Sequence, residues 1–122
     1  MPERVTVSIN PLRIERLHFL HAVGWGFGGV TPVVRYIITH RDGKQSIITC
    51  RTGHEIADWW YTDTLKNAKV AWSGSNPATS KVQLYLYTWP NPEPANPVTA
   101  IELVSENGPT PAVVAMTALC MP

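Results

Sequence analysis

Hydrophobic and polar residues alternate in short runs along the chain, and glycine, proline and asparagine separate one run from the next. Alternation with a period of two is typical of β-strands, and no stretch repeats its apolar positions with the longer period of an amphipathic helix. We therefore expect an all-β protein, a single antiparallel β-sandwich of two sheets with a jelly-roll arrangement over residues 1–122. The predicted strands are Val5–Ile9, Leu12–Ala22, Val33–His40, Gln45–Arg51, Ala68–Ser73, Lys81–Trp89, Val98–Ser105 and Ala112–Leu119.

Two local patterns make this prediction more specific. Asp42 and Gly43 separate two β-rich runs, and this dipeptide supplies the positive φ of a tight hairpin turn. Strict alternation along Lys81–Trp89 puts its aliphatic and aromatic residues on opposite faces. We expect the aliphatic face (Val82, Leu84 and Leu86) in the core, and the other face (Gln83, Tyr85, Tyr87 and Trp89) turned outward, either as a flat platform or beneath a connection.

The connections differ in character. Asn-Pro pairs favour extended or turn geometry and mark loops; they begin at Asn10, Asn76, Asn91 and Asn96. The segment Gly24–Gly29 is glycine-rich and aromatic, and predicts a flexible loop. A turn or two of helix is predicted near His54–Trp60.

Composition and charge restrict the classes of partner. Charged residues make up 16% of the chain, and the formal net charge is +1. A binder of nucleic acid carries a basic excess or stripe, and a membrane-spanning helix needs about 20 consecutive apolar residues. The chain has no basic excess or stripe and no apolar run of that length. We also expect no signal peptide from Met1–Arg4. We expect neither nucleic acid nor a membrane as partner.

The two cysteines are separated by most of the chain and form no zinc-binding motif. Cys50 lies in the apolar run Ile47–Cys50, which favours two buried thiols over a disulfide between Cys50 and Cys120.

Catalytic patterns are weak. The Gly24–Gly29 loop has neither the following helix nor the Lys-Ser/Thr pair of a phosphate-binding loop. His18 and His21 would face opposite sides of one strand, which argues against a metal-dependent β-barrel enzyme. No Gly-x-Ser-x-Gly motif is present. Carboxylates from one loop rarely flank a sugar from both sides, as glycoside hydrolysis requires; those available are Glu55, Asp58 and Asp63. We therefore expect no enzyme activity.

The aromatic composition is more informative. The chain has five tryptophans and four tyrosines but two phenylalanines. Trp and Tyr combine a large apolar ring with a polar group, which suits half-exposed sites. Trp59, Trp60 and Tyr61 are consecutive and follow Asp58. Either Trp59 anchors the loop in the core while Trp60 covers its edge, or one indole forms a platform for the apolar face of a sugar.

Several sequence blocks together resemble accessory β-sandwich domains of bacterial glycoside hydrolases and related exported proteins. The resemblance runs from about Phe19 to Thr117. The blocks are Phe19–Trp25, Val34–Tyr36 with Asp42–Gly43, Gly53–Trp60, Ala71–Pro77 and Leu84–Pro92. It implies a non-catalytic carbohydrate-binding module attached to a catalytic domain, in an extracellular or periplasmic protein. Modules of this kind often hold structural calcium, for which Asp58, Asp63 and Glu55 are candidate ligands, and we expect no cofactor that the protein requires.

We therefore predict a site for a neutral polysaccharide or oligosaccharide, with aromatic stacking and polar contacts to the hydroxyl groups. The alternative is a structural or docking domain of a larger glycan-active enzyme, with no affinity for sugar. The predicted site residues are Trp25, Arg51, Glu55, Asp58, Trp59, Trp60, Tyr61 and His21.

Overall fold

The computed structural model describes residues 4–24, 30–60, 65–76, 79–106 and 110–121. The described residues form eight strands and contain no helix, which confirms the all-β prediction. None of these segments is a helix long and apolar enough to cross a membrane. The strands are β1 (Arg4–Leu12), β2 (Ile14–Gly24), β3 (Pro32–His40), β4 (Gln45–Arg51), β5 (Ala68–Asn76), β6 (Thr79–Pro90), β7 (Val98–Ser105) and β8 (Thr110–Cys120).

The strands form two antiparallel sheets of four, as a β-sandwich requires. The first sheet has the order β1-β7-β3-β4 and the second has the order β5-β6-β2-β8. The predicted hairpin joins β3 to β4. At its turn Gly43 has a φ of 91°, and its N–H donates to the carbonyl of His40 at 2.9 Å. The hairpin prediction from Asp42-Gly43 is confirmed.

Large aromatic rings fill the space between the sheets. Phe19 on β2 stacks on Tyr36 on β3, with ring centroids 3.9 Å apart and an interplanar angle of 17°. Tyr87 on β6 lies beside Phe19 and extends the stack within the second sheet. These contacts bind the two sheets through dispersion and burial of apolar area rather than through backbone hydrogen bonds.

The predicted faces of β6 are wrong from Leu84 to Trp89, where the aromatic set faces the core, whereas Val82 is buried as predicted. Tyr85 pairs with His21 and Tyr87 pairs with Phe19, so each shares the inward face of β2. Tyr85, Gln83 and Trp89 are buried, whereas Leu84 and Leu86 are partly exposed. Alternation separates the two sets but does not decide which one faces inward.

The predicted helical turn near His54–Trp60 is also absent. The carbonyl of Arg51 accepts hydrogen bonds from the N–H groups of His54 at 3.1 Å and Glu55 at 3.2 Å, which closes a compact turn. Gly53 has a φ of 81°, a conformation that an α-helix does not contain. The chain then continues toward the second sheet.

The cysteines are both free. Cys50 is buried in β4, as predicted, and burial raises the pKa of its thiol. Cys120 is exposed at the end of β8, so the prediction of a second buried thiol is wrong.

A buried histidine connects the two sheets to the loop after β4. The His21 ring is 2.6 Å from the Tyr36 hydroxyl at Nδ1 and 2.8 Å from the Glu55 carbonyl at Nε2. A carbonyl only accepts, so Nε2–H donates to it. In the neutral ring Nδ1 then accepts from the Tyr36 hydroxyl. Burial lowers the pKa of His21 to about 4, which keeps the ring neutral near pH 7.

We predict that stability falls as the pH decreases from 6.5 toward 4. In this range the unfolded chain binds a proton at His21 and the folded chain does not, so stability is complete above the usual pKa of 6.5 and is lost toward about 4. At 1.36 kcal/mol per pKa unit, the loss is about 3 kcal/mol. Urea unfolding across this range should show the slope. Above about pH 5, where carboxylates bind few protons, the slope should disappear in His21→Gln and persist in His18→Gln; an unchanged slope there in His21→Gln would contradict the prediction.

Candidate functional site

The loop after β4 is fixed by a buried carboxylate. Glu55 accepts hydrogen bonds from the Arg51 backbone N–H at 3.0 Å and from the Asn67 side-chain amide at 2.6 Å. The Arg51 guanidinium lies 3.4 Å from the same carboxylate. Burial raises the pKa of Glu55, but the hydrogen bonds from Asn67 and Arg51 outweigh it and hold the pKa below its usual value. Glu55 therefore joins the start of the loop to the residues just before β5.

The same loop inserts a short segment between two strands of the second sheet. Pairing of β2 with β6 stops at His21. Beyond that point the N–H of Val23 donates to the Ala57 carbonyl at 3.0 Å, and the N–H of Trp59 donates to the Val23 carbonyl at 3.1 Å. On the other side, the N–H of Gln83 donates to the Trp59 carbonyl at 2.7 Å. The inserted segment therefore satisfies backbone groups of both strands where they separate.

The inserted segment presents two tryptophans together. Trp59 is 41% exposed and Trp60 is 55% exposed. Their rings are 6.2 Å apart and nearly parallel, with an interplanar angle of 11°. The Asp58 carboxylate accepts a hydrogen bond from the Trp60 backbone N–H at 2.9 Å, and this bond holds the turn from Asp58 to Trp60. The alternative in which Trp59 is buried in the core is therefore wrong, because both indoles are on the surface.

Beside the two indoles is a groove of about 530 Å³. Ala22 lies on the face of β2 opposite His21 and Val23, which point into the core, so the groove is on the outer face of the second sheet. Most of the lining is apolar. Several of the lining side chains are small, and this leaves room for the groove beside the two indoles. The lining residues are Ala22, Val23, Gly24, Asp58, Trp59, Trp60, Leu84, Thr110 and Ala112.

The structure brings together some of the predicted site residues. Asp58, Trp59 and Trp60 line the groove. The remaining predicted residues are elsewhere. Arg51 and Glu55 are paired within the loop, His21 is in the core, and Trp25 and Tyr61 lie outside the described residues. Besides Asp58, Thr110 contributes a polar side chain to the described lining of the groove.

A further exposed tryptophan was not among the predicted site residues. Trp72 on β5 is 51% exposed and pairs with Leu84, which lines the groove. Its indole covers Gly74, where a Cβ atom would lie 2.5 Å from Cη2 of the ring. The signal in the sequence is Trp-x-Gly within a strand, because residues two apart share a face and glycine leaves room for a ring to lie flat.

Calcium stays a prediction, because the described residues include only part of its candidate ligand set. The Glu55 carboxylate is occupied by Arg51 and Asn67, and an oxygen of Asp58 accepts the Trp60 N–H. Asp63 lies outside the described residues. Within the described part of the chain, no group of three or more His, Cys, Asp or Glu side chains is placed to hold a metal ion.

Comparisons with known proteins do not assign the chain to a family. No protein family model, curated protein or solved structure matches it. The resemblance to carbohydrate-binding domains therefore stays a prediction, and the groove itself is the basis for inferring a function.

We predict that Trp59→Ala and Trp60→Ala each lower the free energy of unfolding by about 1 kcal/mol or less, because both indoles are half-exposed. Phe19→Ala, the matched removal of a buried ring, should cost about 3–5 kcal/mol. Urea unfolding of the three variants makes the comparison. A loss from either tryptophan as large as that from Phe19 would show that the residue is a core anchor.

Proposed function

We propose that the protein is a non-catalytic binding module that holds a neutral carbohydrate in the groove beside Trp59 and Trp60. The observation that carries the proposal is the pair of parallel, half-exposed indoles bordering an apolar floor. A sugar ring presents a face of C–H groups that packs on an aromatic plane, and a rim of hydroxyl groups that needs polar partners. Asp58 and Thr110 are the polar side chains of the described lining that meet this need.

Charge supports a neutral ligand. Asp58 is the charged side chain of the described groove lining, and the whole chain has a formal net charge of +1. A uronate-rich chain would place its carboxylates near Asp58 in a partly apolar site, where repulsion between like charges is weakly screened. Neutral polysaccharides and oligosaccharides avoid this penalty.

The carboxylate geometry supports binding over hydrolysis. Most glycoside hydrolases use two carboxyl groups on either side of the scissile bond. The described lining contains Asp58 alone, and Glu55 is held within the loop by Arg51 and Asn67. We therefore assign the groove a role in recognition.

A structural or docking role is the second candidate, and the apolar lining favours it. Most residues of the described lining lack polar side chains, so the groove also suits an apolar side chain from an attached catalytic domain. Such a domain would cover Trp59 and Trp60 and leave the groove without affinity for sugar.

We predict binding of neutral glycans with a dissociation constant of about micromolar to millimolar, because an open groove buries little ligand area. Isothermal titration against neutral and uronate-rich polysaccharides provides the measurement. Trp59→Ala and Trp60→Ala should each weaken binding by about tenfold or more, since each removes a stacking surface. Ile47→Ala removes an exposed side chain from β4 of the first sheet and should have no effect.

A second variant tests the groove without changing the indoles. Ala112 is exposed on β8 and lies on the groove floor. Ala112→Leu should fill the floor and abolish binding while Trp59 and Trp60 stay in place. If the folded wild-type protein binds no glycan, the proposal is wrong and the docking role is favoured.

We predict that Trp72 extends the site toward β5. Neighbouring strands are about 4.8 Å apart, so Trp72 lies within reach of a ligand that continues past Leu84. Gly74→Ala must displace the Trp72 indole, and it should weaken binding of long oligosaccharides while leaving short ones unchanged. Val70→Ala on the same strand is the control. Equal effects of Gly74→Ala on both ligand lengths would contradict this extension.

A further inference from the structure

Strand β8 forms an edge of the second sheet. It pairs with β2 along one side, and none of the other described strands pairs with its opposite side. It is 11 residues long, and it exposes Val114 and Leu119. An edge of this length presents a row of backbone N–H and C=O groups to any strand that approaches.

The composition of β8 differs from that of the other strands. Each of the other seven strands contains a charged side chain, whereas Thr110–Cys120 contains none. The three other edge strands each have one: Arg4 in β1, Arg51 in β4 and Lys69 in β5. Charged residues on an edge strand hinder pairing with another chain. Of the four edge strands, β8 is the one without a charged side chain to hinder such pairing.

We propose that β8 pairs antiparallel with β8 of a second copy of this chain. The second sheets of the two copies then form one continuous sheet, with four strands from each copy. Apolar side chains of β8 are covered in the pair, and its free backbone groups gain partners. This interaction does not depend on the proposed carbohydrate site.

The register of β8 suits pairing with itself. Ala115–Leu119 follows a bulge and is regular, with Met116 opposite Phe19 and Ala118 opposite Leu17 on the inward face. A two-fold axis at Thr117 places Ala115 opposite Leu119 of the second copy, and Met116 opposite Ala118 of the second copy. Residues on the inward face of one copy are thus opposite residues on the inward face of the other. Thr117 is opposite Thr117 of the second copy, and such a cross-strand threonine pair stabilises the sheet.

Formation of a closed dimer favours β8, rather than the opposite edge strand β5, as the partner of β8. Pairing of β8 with β5 of another copy would leave a free edge at each end and continue into a filament, whereas β8 with β8 closes as a dimer. Lys69 of β5 would also enter that contact. Pairing of β8 with itself sets no like charges opposite one another in any register.

The pairing leaves the groove open. Pro111 has no N–H to donate, and the register shifts between Ala115 and Val113, so regular pairing covers the C-terminal half of β8. Thr110 and Ala112, which belong to the groove floor, lie outside that half. The two grooves then face the same side of the joined sheet.

Sedimentation velocity over a range of protein concentrations tests the proposal. The wild-type protein should be a dimer. Thr117→Lys places two ammonium groups opposite each other and should weaken the dimer by about 100-fold or more, because like charges at an interface cost several kcal/mol. Thr49→Lys, at an exposed threonine of the β4 edge, should stay dimeric. An equal mixture of Thr117→Lys and Thr117→Glu should regain the dimer, which also shows that both variants are folded.

A cysteine at the two-fold axis tests the register. Directly opposed residues have Cα atoms about 4.5–5.5 Å apart, within the range of a disulfide. Thr117→Cys in a Cys120→Ser background should therefore form a covalent dimer on mild oxidation, whereas Thr49→Cys in that background should not. A monomer at every concentration, a dimer that Thr117→Lys leaves intact, or growth beyond the dimer would each overturn the proposal.

Discussion

The hydrogen bond from the His21 ring to the Glu55 carbonyl is the constraint on which the site depends. Buried polar groups must be paired, and this one histidine satisfies both nitrogens with groups from different parts of the fold, Tyr36 in the first sheet and Glu55 in the loop. The core therefore determines where the loop turns. The position of Trp59 and Trp60 follows from that turn, because the segment that carries them enters the second sheet within a few residues.

Neighbouring residues of the loop therefore have different structural roles. Glu55 holds the loop, the backbone of Ala57 and Trp59 completes the hydrogen bonds of two strands, and the side chains of Trp59 and Trp60 stay on the surface. The indoles thus contribute little to the core, although the backbone that carries them is part of a sheet. Surface chemistry at the groove can change while the fold is retained.

The local features were predictable from the sequence and the long-range ones were not. Strand positions follow from alternation, and the hairpin follows from Asp42-Gly43, because both depend on residues near in sequence. The faces of β6 were misassigned because alternation is symmetric between its two sides. Asp58, Trp59 and Trp60 were identifiable as one aromatic and acidic cluster. The burial of His21 depends on contacts with Tyr36 and Glu55, which no local pattern encodes.

The insertion of residues 57–59 between β2 and β6 has a consequence for molecular motion. An outward swing of this segment, as in a lid, would break its backbone hydrogen bonds to Val23 and Gln83. The backbone that carries Trp59 is therefore held by both strands before any ligand arrives. A ligand that binds there does not have to order the backbone of Trp59, so the entropic cost of association falls mainly on the ligand and on the side-chain rotamers of the two indoles.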